Sequence, residues 1–257
     1  MKVTILGTGT FYVDLTRSAQ SYLIEVDNKK ILVDCGPGTL MRLSEIGLKT
    51  EDLDYIFLTH FHPDHSSDLF AILMGFRLKE IFHKGEDFKT PIICGPAGIQ
   101  DFIKKLSHVY ELPAFDTYSK VEFREYQESM KLGEITVKTF KVDHIAFGFK
   151  ANAYALRFEF DDSILAFSGD STKCDGLVNA CEKANLFICD ASFDKSQTAL
   201  AHLNTTDIGE VAEISQVDNV VLSHFYPETK NIDLVAEVKE KYSGEVIMGE
   251  DLMELEI

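Results

Sequence analysis

The sequence predicts a mixed α/β (α+β) protein built as a four-layer αββα sandwich, in which two facing sheets are covered by helices on their outer faces. Two observations predict this fold. Short apolar segments typical of strands occur in both halves of the 257-residue chain, about residues 1–130 and 131–257, and each half also carries segments with helical periodicity. No low-complexity segment or linker divides the halves, so we expect a single domain spanning residues 1–257.

The first half opens with strands and continues with helices. The predicted strands are residues 2–6, 21–26, 30–34, 54–59 and 91–94. The second and third of these form a hairpin, because Asp27 and Asn28 between them are turn formers. Residues 66–80 have apolar side chains at helical spacing after polar start signals, and residues 98–110 form a second amphipathic segment. The pattern of the first half therefore predicts a sheet with helices packed on one face.

The second half repeats this pattern. The predicted strands are residues 134–142, 153–160, 163–168, 186–190, 219–223 and 245–248, and the predicted helices are residues 176–184, 205–215 and 232–241. Asp161 and Asp162 mark the turn of the hairpin that joins the second and third of these strands. Thr205 or Thr206 is expected to cap the middle helix. The acidic stretch at residues 250–256 is expected to present a solvated face.

The charge balance excludes two classes of partner. The chain has 25 Lys and Arg against 42 Asp and Glu, a net charge of −17. Such a surface repels phosphate backbones, so we expect no extended nucleic-acid surface and no binding to anionic membranes. No run approaches the roughly 18–20 apolar residues of a membrane span. A bound metal ion would still attract an anion locally.

The cysteines predict a reducing compartment. Their number is odd and no CxxC motif occurs; they are Cys35, Cys94, Cys174, Cys181 and Cys189. This pattern is typical of reduced thiols that fill apolar space rather than of a disulfide framework. The first ten residues also lack the apolar core of a signal peptide, so we expect a cytoplasmic protein.

One short segment carries the strongest chemical signal. Thr59-His60-Phe61-His62-Pro63-Asp64-His65 places three histidines and an aspartate within six residues, directly after an apolar strand. A strand that ends in a tight turn can aim several side chains at one point, and Pro63 stiffens this turn. Imidazole and carboxylate are ligands that Zn²⁺ and similar ions accept. The segment therefore predicts a metal site.

Three more residues of the same kinds follow other predicted strands. They are His144, Asp170 in Phe-Ser-Gly-Asp-Ser, and His224 in Leu-Ser-His-Phe. Sheet proteins commonly present ligands from the ends of strands into a crevice. We therefore expect these three side chains to meet the cluster at residues 60–65.

These motifs, in this order and spacing, resemble those of the metallo-β-lactamase fold superfamily. The resemblance extends over nearly the whole chain and includes Leu6-Gly7-Thr8-Gly9 and Asp34-Cys35-Gly36. The fold of this superfamily is the αββα sandwich that the strand and helix pattern also predicts. The resemblance thus agrees with the fold expected from the residues alone.

The resemblance implies a pair of metal ions. His60, His62 and His144 would hold one ion, Asp64, His65 and His224 would hold the second, and Asp170 would bridge the two. True β-lactamases often carry a cysteine in place of this last aspartate, so Asp170 favours a dinuclear hydrolase. Two such ions can share a hydroxide and stabilise both the attacking and the leaving oxygen. Zinc is the expected metal, and manganese and iron fit the same ligand types.

A second region resembles the ribonuclease Z and phosphodiesterase branch of the superfamily. It comprises Cys189-Asp190-Ala-Ser-Phe and Ala201-His202-Leu-Asn-Thr-Thr. By this resemblance His202 would be the general acid that protonates the leaving alkoxide, Asp190 would orient it, and Asp64 would complete the catalytic set. The family more often has glutamate where this chain has Asp190. On the residues alone, His202 could instead cap the helix that begins near Thr205.

The substrate is expected to be small. Ribonuclease Z proper carries a long basic arm that grips tRNA, typically between the third and fourth metal motifs, but His144 and Asp170 are only 26 positions apart and a hairpin fills most of that stretch. We therefore expect a small phosphodiester, such as a cyclic nucleotide or an oligonucleotide end, attacked in line by a metal-bridging hydroxide.

Three alternatives remain at this stage. They are a hydrolase of esters, thioesters or lactones with the same fold, a tRNA 3′-processing endonuclease, and a metal-binding accessory protein without turnover. Dimers are common among the family, so the resemblance also implies a homodimer.

Overall fold

The structure is a computed structural model that describes residues 1–12, 14–83, 88–112, 121–197 and 201–257. It confirms the four-layer αββα sandwich: two seven-stranded sheets face each other, and helices cover the outer face of each. In the described part of the chain, none of the helices combines the length and the apolar character needed to cross a membrane.

The elements follow the predicted order with several additions. The strands are β1 (Lys2–Gly7), β2 (Ser21–Val26), β3 (Lys29–Val33), β4 (Tyr55–Phe57), β5 (Ile92–Gly95), β6 (Phe123–Glu125), β7 (Ser129–Leu132), β8 (Ile135–Lys141), β9 (Ile145–Ala146), β10 (Phe149–Lys150), β11 (Tyr154–Phe160), β12 (Ser163–Phe167), β13 (Leu186–Asp190), β14 (Asn219–Ser223), β15 (Glu245–Met248) and β16 (Glu254–Glu256). The helices are α1 (Thr39–Glu45), α2 (Pro63–Phe82), α3 (Ile99–Val109), α4 (Asp175–Cys181), α5 (Thr205–Ile214) and α6 (Leu234–Lys239), with short 3₁₀ turns at Thr50–Asp52 and Pro227–Thr229.

The two sheets share one design. The first has the order β16-β1-β2-β3-β4-β5-β6, and the second has the order β15-β14-β13-β12-β11-β8-β7. In each, a run of parallel strands (β3 to β6, and β12 to β15) adjoins antiparallel hairpins. The carboxyl ends of parallel strands meet at one edge of a sheet, where ligands commonly bind. The chain segments that follow β3, β4, β12, β13 and β14 therefore leave the sheets at such edges.

Three apolar layers hold the sandwich together. The layer between the sheets includes Phe57 and Phe158, whose ring centroids lie 5.5 Å apart in an edge-to-face contact. The first sheet packs on its outer face against α1, α2 and α3, and the second sheet packs against α4, α5 and α6. Burial of these apolar faces is the main favourable contribution to folding. It fixes both sheets, and hence the strand ends that carry the chemistry.

The structure corrects the predicted cap of α5. Asn204, not Thr205 or Thr206, is the N-cap, because its extended backbone lets its side chain accept a hydrogen bond from the Asp207 amide at 2.9 Å. Thr205 is already helical and fully buried. α6 is also shorter than predicted, because Asp233 caps it and the helix begins at Leu234.

Several elements were not predicted: α1, β6, β7, the hairpin β9–β10, and β16. β16 pairs antiparallel with β1, so the acidic C-terminal stretch extends the first sheet. The charged side chains of Glu254 and Glu256 remain exposed, as expected, while Leu255 packs towards the layer between the sheets. Asp251 departs from the expected solvated face: its side chain is 4% exposed, accepts hydrogen bonds from Thr8 and Ser18, and pairs with Arg42.

Candidate metal centre

The predicted convergence of strand ends takes place in the structure. His60 follows β4, and His62 immediately precedes α2, whose first turn carries Asp64 and His65. His144 follows β8, Asp170 follows β12 and His224 follows β14. Potential ligand atoms fall into overlapping groups within which they lie no more than 4.8 Å apart; the groups are His60, His62, His144 and Asp170, then Asp64, His65, Asp170 and His224, and then Asp170, Asp190, His202 and His224. These clusters are able to bind metal.

Asp170 stands between the first two groups. Its Oδ2 atom lies 3.6 Å from His60 Nε2 and 3.7 Å from His144 Nε2. Its Oδ1 atom lies 3.1 Å from His65 Nε2 and 3.4 Å from His224 Nε2. Each carboxylate oxygen therefore faces a different set of histidines, which is the arrangement of a carboxylate shared by two sites.

The remaining two predicted ligands complete these sets. Asp64 Oδ2 lies 3.4 Å from His224 Nε2, and His62 Nδ1 lies 3.1 Å from His144 Nε2. Nitrogen ligands about 2.0–2.1 Å from a tetrahedral zinc ion are about 3.3 Å from each other. The separation between His62 and His144 therefore suits two ligands of one ion.

The neighbours of His60 and His65 fix their proton positions. Asp34 accepts hydrogen bonds from the Thr59 amide at 2.7 Å and the Thr59 hydroxyl at 2.8 Å, and His65 Nδ1 donates to it at 2.7 Å. Since the one hydroxyl hydrogen of Thr59 is used by Asp34, His60 Nδ1 is the donor to Thr59 Oγ1 at 3.1 Å. Both rings therefore direct an Nε2 lone pair towards Asp170, as metal ligands require.

His144 and His224 are oriented in the same way. His144 Nδ1 donates to the carbonyl oxygen of Ala201 at 2.7 Å. The Ser192 hydroxyl donates its hydrogen to Asp190 Oδ1, so Ser192 Oγ accepts a hydrogen bond from His224 Nδ1 at 2.8 Å. In four histidines, therefore, Nδ1 donates its hydrogen to an outer acceptor, so Nε2 carries the lone pair that can bind a cation.

A further observation indicates that these histidine and aspartate side chains fit a metal ion. Four buried atoms of the cluster have no hydrogen-bond partner among the described residues: His60 Nε2, His65 Nε2, Asp64 Oδ1 and Asp170 Oδ1. Buried polar atoms in native proteins are nearly always paired, and each exception calls for an explanation such as a bound ion. One cation in each of the first two groups would together give all four atoms a partner.

His202 and Asp190 form the predicted pair. His202 Nδ1 donates to Asp190 Oδ2 at 2.8 Å and lies 3.7 Å from Asp170 Oδ2. Burial lowers the pKa of His202, but the carboxylates of Asp190 and Asp170 outweigh it and the pKa is raised. Burial likewise opposes the charged form of Asp190, yet His202 and His224 lower its pKa to about 2. The alternative prediction that His202 caps α5 is wrong, because Asn204 is the N-cap of this helix.

Unusual backbone conformations aim these side chains. Asp34 and His224 have φ values of 56° and 57°, in the left-handed region that residues other than glycine seldom adopt. Gly169, directly before Asp170, has a φ of 56°, and a Cβ atom there would lie 2.9 Å from both the Thr59 Cβ and the Tyr154 carbonyl oxygen. Strain of this kind gathers at functional sites.

Sequence reasoning missed the outer partners. Asp34 and Ser192 lie in segments noted for resemblance, but no role was predicted for either, and Thr59 and the Ala201 carbonyl were not considered. A polar residue at a strand end beside a predicted ligand is a signal that could have found the first two. Tyr226 was also missed; its ring centroid lies 5.6 Å from that of His202 and 5.7 Å from that of His224.

Comparisons with known proteins agree with this architecture. The "Probable metallo-hydrolase YhfI" of Bacillus subtilis is 25% identical over 248 residues, which is 96% of each chain. Its crystal structure, described as a metallo-β-lactamase fold protein, superposes with a TM-score of 0.84 and covers 99% of this chain and 98% of that one. The predicted metallo-β-lactamase fold is confirmed.

The predicted kinship with ribonuclease Z is confirmed as well. The ribonuclease Z of Clostridium acetobutylicum is 23% identical over 279 residues, 88% of each chain. The human short-form tRNase Z shares the fold at a TM-score of 0.73, with 24% identity and coverage of 100% of this chain and 99% of that one. A family model described as "Anti-Pycsar protein Apyc1" matches residues 1–241. The chain therefore belongs to the Anti-Pycsar protein Apyc1 family and has the metallo-β-lactamase fold.

Proposed function

We propose that this protein is a metal-dependent hydrolase, and more specifically a phosphodiesterase that acts on a small phosphodiester such as a cyclic nucleotide. The observation that carries the proposal is the hydrogen bond between His202 and Asp190 beside the ligand cluster. A phosphodiester has a poor leaving group, so its hydrolysis gains from a placed acid. The relatives named a metallo-hydrolase and a ribonuclease Z support the same chemistry.

The ligand sets support two divalent ions, with zinc expected from the nitrogen and oxygen donors. His60, His62 and His144 would hold one ion, Asp64, His65 and His224 would hold the other, and Asp170 would contact both. Such ions supply an activated water and neutralise the charge of phosphoryl oxygens. The seven metal ligands together with Asp190 and His202 make nine polar side chains at one point, and a metal site beside a general acid accounts for all nine.

His202 would deliver the proton. Its Nδ1 atom is committed to Asp190, which leaves Nε2 as the atom that can donate to a leaving oxygen. Asp190 holds the ring in place and favours the imidazolium that this role requires. Asp190 and His202 are 0% and 7% exposed, so the acid is sheltered from bulk water.

Two features favour a small substrate over tRNA. The segment between His144 and Asp170 is occupied by β9, β10, β11 and β12, which leaves no room there for a tRNA-binding arm. The net charge of −17 opposes an extended RNA contact, since such binding relies on Lys and Arg neutralising phosphates. A single phosphodiester at the metals needs no such surface.

The experiment compares three substrates before and after chelation. Purified protein is assayed with bis-p-nitrophenyl phosphate, a p-nitrophenyl ester and a lactone. We expect diester cleavage that a chelator abolishes and that added Zn²⁺ or Mn²⁺ restores. Cleavage of the ester or lactone without the diester would identify an ester or lactone hydrolase. No metal-dependent turnover of any of the three would favour an accessory protein.

A further inference from the structure

A buried carboxylate lies in the C-terminal segment, outside the candidate metal centre. It belongs to Asp251, whose Oδ2 atom lies 2.9 Å from Nη2 of Arg42. Replacing a buried ion pair by apolar side chains is often neutral or stabilising, so stability alone does not account for this pair. The other contacts of Asp251 indicate that it holds two chain segments in place.

Each oxygen atom of Asp251 accepts two hydrogen bonds from described residues. Oδ1 accepts from the amide and the hydroxyl of Thr8, at 2.9 and 2.8 Å. Oδ2 accepts from the Ser18 amide at 2.6 Å and from Arg42. An ionised carboxylate can accept about four such bonds, whereas an asparagine side chain in either orientation would point an NH₂ group at donors. The surroundings of position 251 therefore select a carboxylate over its amide.

The pairing of the C-terminal segment with β1 places Asp251 at this point. The Leu252 amide donates to the carbonyl oxygen of Ile5 at 2.6 Å, and the Ile5 amide donates to the carbonyl oxygen of Met253 at 2.9 Å. Thr8, which directly follows β1, is fully buried. The C-terminal segment and the turn after β1 are therefore held against each other.

Thr8 also contacts the chain directly after a candidate metal ligand. Its carbonyl oxygen accepts a hydrogen bond from the Phe225 amide at 2.9 Å. Arg17 provides a second link, because its Nη1 atom donates to Thr8 Oγ1 and to the carbonyl oxygen of Gly249. The guanidinium of Arg17 also lies 4.3 Å from the centroid of the Phe225 ring. Asp251 and Arg17 thus fix Thr8, and Thr8 fixes the residue that follows His224.

We propose that Asp251 is a positioning residue for His224, acting through Thr8 and the amide of Phe225. His224 has a left-handed backbone, with a φ of 57°, and such a conformation persists only where the surroundings hold it. The hydrogen bond from Phe225 to Thr8 holds the peptide that follows His224. The proposal rests on the ligand set of the proposed function and extends it to a residue that acts on the ion through others.

Metal titration tests whether the effect is confined to one ion. Asp251→Asn should weaken binding of one of two Co²⁺ equivalents by about tenfold or more, as when an outer partner of a ligand is lost, and leave the other unchanged. Visible absorption of Co²⁺ reports both, at a temperature where circular dichroism shows the variant folded. Glu250→Gln, at an exposed neighbouring position, is the control. Equal weakening of both equivalents, or of neither, would overturn the proposal.

A milder pair of variants tests the link through Thr8. Thr8→Val removes the hydroxyl that donates to Asp251 but keeps both backbone hydrogen bonds, so it should weaken the same Co²⁺ equivalent by a smaller factor than Asp251→Asn. Thr8→Ser keeps the hydroxyl and should retain wild-type affinity. No difference between these two variants would contradict the link.

Amide hydrogen exchange separates this proposal from the proposed function, because it does not depend on metal binding. In the protein as purified, Asp251→Asn should speed exchange of the Phe225 amide by about tenfold, the factor for one or two lost hydrogen bonds, and leave the amides of β13 unchanged. Unchanged exchange at Phe225 would overturn the positioning role. Faster exchange in a protein that binds fewer than two ions would refute the pair of ions and leave the link from Asp251 to Phe225 standing.

Discussion

His202 Nδ1 lies 2.8 Å from Asp190 Oδ2, while Asp190 Oδ1 accepts the hydroxyl hydrogen of Ser192, which in turn contacts His224. One carboxylate therefore supports both the candidate acid and a candidate metal ligand. Oδ2 of Asp190 contacts His202, and Oδ1 acts on His224 through Ser192. A substitution at Ser192 can therefore separate the effect on the metal ligand from the effect on the acid.

Asp190→Asn is expected to weaken both functions. The neutral amide no longer favours the charged imidazole of His202, and it disturbs the support of His224, so kcat and metal affinity should each fall by about 10–100-fold. Steady-state kinetics and metal titration measure the two effects. Asp101→Asn, on the exposed side of α3, is the control. Unchanged kcat in Asp190→Asn would refute its role in orienting the acid.

Ser192→Ala is expected to separate the two functions. It removes the acceptor for His224 Nδ1 but leaves the 2.8 Å contact between Asp190 and His202 in place. Metal affinity should fall by about tenfold or more, while kcat at saturating metal should fall less than in Asp190→Asn. Ser129→Ala, at an exposed position of β7, is the control. Full metal affinity in Ser192→Ala would show that this hydroxyl does not support the ligand.

His202→Ala tests whether His202 donates a proton to the leaving group, by comparing substrates whose leaving groups differ in basicity. An acid matters most when the departing oxygen is strongly basic, so kcat should fall by about 10²–10⁴-fold for a diester with an alkyl leaving group and by much less for a p-nitrophenyl diester. Metal content should match that of wild type. His108→Ala, an exposed histidine near the end of α3, is the control. Equal losses with both leaving groups would contradict the acid role.

Gly169→Ala tests the backbone that aims Asp170. The substitution combines an unfavourable φ of +56° with contacts of 2.9 Å to Thr59 and Tyr154, so the free energy of unfolding should fall by about 2–4 kcal/mol. Gly47→Ala is a matched control, since Gly47 has a φ of +76° and nothing within 4 Å of its added Cβ; it should cost about 1 kcal/mol. Denaturant unfolding measures both. Equal costs would show that the close approach at Gly169 has no effect.

Much of the fold could be read from periodicity and turn residues. β13, β14 and β15 were predicted residue for residue, because each is a short apolar run bounded by polar residues. α1 was missed because it has only seven residues and Gly38, at its N-cap, makes no side-chain cap. β16 was missed because its strand character depends on pairing with β1, which the local sequence of Glu254 to Glu256 does not reveal.

The candidate site could be read because its residue types are rare in combination. His60, His62, Asp64 and His65 are adjacent in sequence, so their convergence needs only one turn. The outer partners could not be read, because the contact between Asp34 and His65 joins residues 31 positions apart through the geometry of two strand ends. The oligomeric state and the cytoplasmic location stay predictions.

The central claim is that seven side chains hold two metal ions on either side of Asp170. Anomalous diffraction from crystals grown with Zn²⁺, recorded at the zinc edge, tests it most directly. The account predicts two peaks that share Asp170, one bounded by His60, His62 and His144 and the other by Asp64, His65 and His224. A single peak, or no peak among these residues, would contradict it.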